Sequence, residues 1–153
     1  PVKASDINSM DSPDGKLTLI MKTTKSNEQI AYSFSISEKE IFAKTVDSST
    51  VISIPYNTWS PDNKYIFLKE SGVVGVNYFV LSASKDSSLQ NEQTVNISNL
   101  FAQKYPDLKI ADVTGWGGIG LVIVNSTKSG REKGPSFWFE VPSAAFIQLS
   151  THF

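Results

Sequence analysis

The chain has 153 residues, 40% of them apolar and 11% aromatic; that is enough for one domain with a real core and too apolar for a disordered segment. A net charge of −1, with Arg131 the single arginine, supplies no basic face for nucleic acid or an anionic membrane. The absence of cysteine and the single histidine, His152, exclude a disulfide framework, a thiol nucleophile and a zinc site built from His or Cys. No stretch reaches the roughly 18 consecutive apolar residues of a membrane span.

In chain order, the first signal is Ser12-Pro13-Asp14-Gly15-Lys16. Pro presets φ for the first central position of a turn, Asp bonds its own backbone, and Gly accepts the left-handed conformation. An apolar run, Leu17–Met21, follows and reads as a strand. Ile30–Ser37, with Tyr32 and Phe34, reads as the next, and Ile41–Val46 as a fourth strand of the same unit. Asp47–Thr50 is a polar separator.

The pattern then repeats. Thr58-Trp59 leads into Ser60-Pro61-Asp62-Asn63-Lys64, 48 residues after the first copy, and Tyr65–Leu68 follows. Asn63 replaces Gly at the left-handed position, which Asn also tolerates. Val76–Ser84 carries Tyr78 and Phe79; Ser84–Gln93 is a polar excursion; Thr94–Ile97 reads as the closing strand. Ser98 reads as the N-cap of a short helix over 98–105, stopped by Pro106. In the third unit, Trp116-Gly117-Gly118-Ile119-Gly120 stands in the place of the turn motif. Leu121–Val124 follows it, then a charged loop over Asn125–Pro135, then Ser136–Ser143 with Phe137-Trp138-Phe139, then Ala145–Ser150.

A period of about 40–50 residues with strand patterning is the signature of propeller blades. Trp59-Ser60-Pro61-Asp62-Asn63-Lys64, and Ser12 to Lys16 with Asp11 where Trp is expected, resemble the Trp-Ser-Pro-Asp-Gly-Lys block of the TolB-like, WD40-like (PD40) propeller repeat. The resemblance runs from Asp6 to Thr151, and two of three units carry the motif. It implies four-stranded blades with the motif between the first and second strands. It also implies binding of a protein or peptide on a propeller face rather than one reaction, and a place outside the cytoplasm. A form trimmed of an N-terminal signal or anchor fits that placement.

The expected fold is therefore all-β: a single domain, 1–153, with blade-like units at about 6–50, 51–97 and 107–153. The competing architecture is a β-sandwich. Closed propellers have about four to eight blades, so three units predict half a ring, completed as six blades by a second copy across a two-fold. The aromatic run at Phe137-Trp138-Phe139, facing both ways in a terminal unit, supports such association.

Chemistry is sparse. Gly-x-Ser-x-Gly does not occur, and the glycines around Trp116 precede a strand, not the helix a dinucleotide loop needs. Asp14 and Asp62 read as turn residues. Candidate ligand contacts are Trp116, Asp11, Asp112 and Arg131, with no catalytic group, metal or cofactor expected. The leading expectation is a non-enzymatic module for a protein or peptide partner. The alternative is a carbohydrate-binding or carbohydrate-active propeller, which needs two carboxylates about 5–10 Å apart beside an exposed aromatic.

Overall fold

The computed structural model describes residues 4–73, 75–83, 94–128 and 132–150. Twelve strands and one helix form three antiparallel sheets of four strands each, and in every sheet the spatial order follows the chain order. The first sheet holds β1 (Ala4–Asp11), β2 (Thr18–Ser26), β3 (Gln29–Ile36) and β4 (Lys39–Asp47). The second holds β5 (Val51–Ser53), β6 (Tyr65–Gly72), β7 (Gly75–Ser82) and β8 (Thr94–Asn96). After α1 (Ile97–Lys104), the third holds β9 (Leu108–Gly118), β10 (Leu121–Lys128), β11 (Lys133–Glu140) and β12 (Ala145–Gln148).

Side-chain alternation stacks the sheets. In β3, Ile30, Tyr32, Phe34 and Ile36 are buried while Gln29 and Ala31 are exposed and Ser33 and Ser35 half-buried. One face is therefore apolar and the other polar, as period two demands. In the second sheet both faces are covered, so Tyr65, Ile66, Phe67 and Leu68 are all buried in succession. Ile66 and Leu68 join Leu19, Met21, Phe34 and Trp59 in one core cluster. Tyr65 and Phe67 join Val122, Val124, Phe137 and Phe139 in another. Phe79 and Leu81 divide from Tyr78 and Val80 in the same way. The second sheet is thus the middle layer. Burying each large side chain is worth about 1.5–3 kcal/mol, so these two clusters dominate stability.

The helix lies where the sequence places it, with a different cap. Asn96, not Ser98, is the N-cap: its side chain accepts from the Asn99 N–H at 3.0 Å. Ser98 sits in the first turn and its hydroxyl accepts from the Tyr78 N–H at 3.1 Å, tying the helix to β7. Phe101 fills the space between α1 and the third sheet, 5.2 Å from Phe137 and 5.3 Å from Phe146 between ring centroids.

The third unit also departs from the expected turn. β9 runs through Trp116 to Gly118, and the chain reverses at Ile119-Gly120, with Leu121 opposite Gly118 and Gly120 at φ +70°. Three register shifts give β9 eleven residues against the eight of β10. Bulges of this kind bend and twist a strand. β10 and β11 extend to Lys128 and back from Lys133, so most of the loop expected over Asn125–Pro135 is strand.

Candidate functional site: a cleft at the turn-motif end

The two Ser-Pro-Asp turns are built alike. Ser12 N–H donates to the Leu17 carbonyl at 2.8 Å, and Ser60 N–H to that of Tyr65 at 2.9 Å. Each serine hydroxyl donates to the aspartate two residues on, at 2.7 Å in both turns. Each hydroxyl also accepts the backbone N–H of Leu17 or Tyr65, at 3.0 Å. Gly15 and Asn63 occupy the left-handed position at φ +73° and +62°. The turns touch through Asn63, whose amide donates to Asp14 at 3.1 Å. The Asp14 carboxyl is held below its ordinary value, first by the Lys16 backbone N–H and then by the Ser12 hydroxyl.

The sheets are joined by a step that occurs twice. The Trp59 indole N–H donates to the Met10 carbonyl at 3.0 Å, and the Trp116 indole N–H donates to the Thr58 carbonyl at 3.1 Å. Met10 and Thr58 stand at matching places, opposite Leu19 and Phe67 and two residues before the motif serine. Trp116 stacks on Tyr65 and meets Phe67 edge-on, both at 6.2 Å. It is therefore a packing residue between the second and third sheets rather than a side chain standing on a turn.

Where these turns and tryptophans meet, a cleft of about 410 Å³ opens. The motif prolines Pro13 and Pro61 and the two tryptophans form one part of its lining. Asn57, Thr114, Gly115 and Ile123 form the rest. Asn57 is fixed by donating to the Thr114 carbonyl at 2.9 Å. Gly115, at φ +145°, passes so close that a Cβ there would lie 3.0 Å from that of Asn57. The lining is apolar and aromatic with a few polar groups, the usual chemistry of a recognition cleft. Sequence reading found Trp116 through its glycines but missed Asn57 and Thr114, which reach the cleft through the fold and carry no local signal.

The other candidates do not converge on it. Asp11 is exposed on the outer side of the first sheet and accepts from the Thr18 hydroxyl at 2.7 Å. Asp112 lies opposite Asn125 on the outer side of the third sheet and accepts from its amide at 2.8 Å. The middle sheet separates the two carboxylates, so they do not form an acid/base pair. Arg131 and His152 lie outside the described residues. Among the described residues no three His, Asp or Glu side chains come together as a metal site.

Comparison with protein-family models, curated proteins and solved structures finds no match to this chain.

Proposed function

We propose that the three sheets are propeller-type blades and that the chain is a non-enzymatic binding module of the TolB-like kind, holding a protein or peptide partner in the turn-motif cleft. The observation that carries this reading is the indole-to-carbonyl step. It joins the first sheet to the second and the second to the third at matching register, as stacking of blades about one axis requires and as an unrelated pair of sandwich layers does not. The cleft sits on that repeated feature, and a groove of Trp and Pro with a few amide groups suits an extended peptide. A displayed peptide library selected on the chain tests the reading. Enrichment of extended apolar or proline-containing peptides, lost in a Thr114→Arg variant that fills the exposed wall of the cleft, is the expected result. Selection that yields nothing, or peptides indifferent to that substitution, overturns it.

A further inference from the structure

We infer that the outer face of the third sheet is a seat for a tryptophan side chain presented by a strand of a partner polypeptide. This rests on the blade reading above and names the partner's anchor.

The seat follows from the two steps already built. Met10 faces Leu19 and receives the indole of Trp59. Thr58 faces Phe67 and receives that of Trp116. The residue at the same place in the third sheet is Gly115, which faces Ile123. A carbonyl has two lone pairs, so one strand bond leaves room for an indole donor. Under Trp116 lie Tyr65 and Phe67; their counterparts are Leu121 and Ile123, both half-buried. Trp138, paired with Ile123, flanks them over Gly117, where an added Cβ would lie 2.8 Å from its Nε1. Farther out the face turns polar: Ser136 donates to Asn125 at 2.7 Å, and Asn125 donates to Asp112. The apolar part is therefore the size of a side-chain anchor.

A second copy of this chain does not supply the anchor. At the place of Trp59 and Trp116 its first sheet carries Asp11, and beside it the outer face presents Ser9, Thr18, Lys22 and Ser33, with Ile20 and Ile7 the apolar side chains among them and neither aromatic. A carboxylate set against Leu121 and Ile123 would lose its water with only the Thr18 hydroxyl to replace it.

The test is a titration of the isotope-labelled full chain with N-acetyltryptophanamide and with its N1-methylindole analogue, followed by NMR. The expected result is shifts at Leu121 and the Trp138 indole, which the cleft does not share, together with Gly115 and Ile123, which it does, in the millimolar range. The methylated analogue should bind about fivefold more weakly, the equivalent of one neutral hydrogen bond. An Ile123→Asp variant, its fold checked by the unchanged remainder of the spectrum, should lose the shifts. Absent shifts at these residues, or equal affinity for the two probes, overturn the seat. Shifts confined to Asn57, Thr114 and the Trp59 indole overturn it while leaving the cleft reading intact. A dimer in light scattering whose contact protects Leu121 and Ile123 overturns it by showing that the occupant is a second copy.

Discussion

Ser60 shows how much one hydroxyl organises. It is fully buried, donates to Asp62 and accepts from the N–H groups of Tyr65 and Lys64 at 3.0 and 3.2 Å. Ser60→Ala takes the hydroxyl acceptor from the Tyr65 N–H and leaves the Lys64 N–H only Asp62, at 3.3 Å, so it should cost about 1–3 kcal/mol in a denaturant melt. Asn63→Gly, by contrast, suits the left-handed backbone but gives up the contact to Asp14, so a change within about 1 kcal/mol is expected. The aspartates of the turns set the acid behaviour. Asp14 titrates below its ordinary value of 3.8 for the reasons given, and so does Asp47, held first by the Ser49 hydroxyl and then by that of Thr50. Their folded forms bind protons less readily than the unfolded chain does. The stability they add is therefore present above about pH 4 and lost as pH falls through the lower folded values. Asp14→Asn and Asp47→Asn should each flatten the decline of melting temperature below pH 4; an unchanged slope contradicts the assignment. Tyr65 and Tyr78 mark the other limit: burial raises both above 10, Asp62 adding to the effect at Tyr65 and Asp112 at Tyr78, against a backbone hydrogen bond from Val113.

The tryptophans define the contact between neighbouring sheets. Trp59→Phe keeps an aromatic ring in the first core cluster but removes the donor to Met10, for an expected loss of about 1 kcal/mol beyond the change in packing. Trp59→Ala empties a site that is 7% exposed and should cost about 3–5 kcal/mol. If Trp59→Phe costs nothing while Trp59→Ala costs the full amount, the hydrogen bond carries nothing. The strands around these residues were legible because each signal is local. A Ser-Pro-Asp-Gly turn closes on itself, and the β-branched and aromatic runs after it need no distant partner to read as strands. The Asn96 cap was not legible, because Ser98 offers the same chemistry two residues later and the choice falls to the Ser98–Tyr78 bond across to β7. Nor was the inward face of Trp116. Its glycines suggest a turn, whereas Gly117 serves as room for Trp138 and the bulges carry the strand past it. Gly117→Ala should therefore disturb Trp138 and cost about 1–3 kcal/mol, read from melts and indole fluorescence.

For the whole molecule, the two ends of the stack differ. The expectation of a two-fold six-bladed ring rested on the count of three units and on the aromatic run Phe137-Trp138-Phe139 in the last of them. At the first sheet the outer face sets serine, threonine and lysine around Asp11, with Ile20 half-buried and Ile7 exposed among them, so it is more polar than the outer face of the third. A 16.8 kDa monomer in light scattering is accordingly expected for the isolated chain at micromolar concentration, and a species of twice that mass contradicts it. Hydrogen exchange should be slowest in the middle sheet, at Tyr65–Leu68 and Tyr78–Leu81, and faster in β1, β4 and β12 at the edges. That middle layer also shapes synthesis. Each sheet pairs only strands adjacent in the chain, so the first can form as soon as residues 4–47 have left the ribosome. Until Ile66, Leu68, Phe79 and Leu81 arrive, its inner face with Leu19, Met21 and Phe34 has nothing to cover it. The nascent chain is most exposed to misassociation in the interval between its first and second sheets, and a pause in translation there would lengthen that interval.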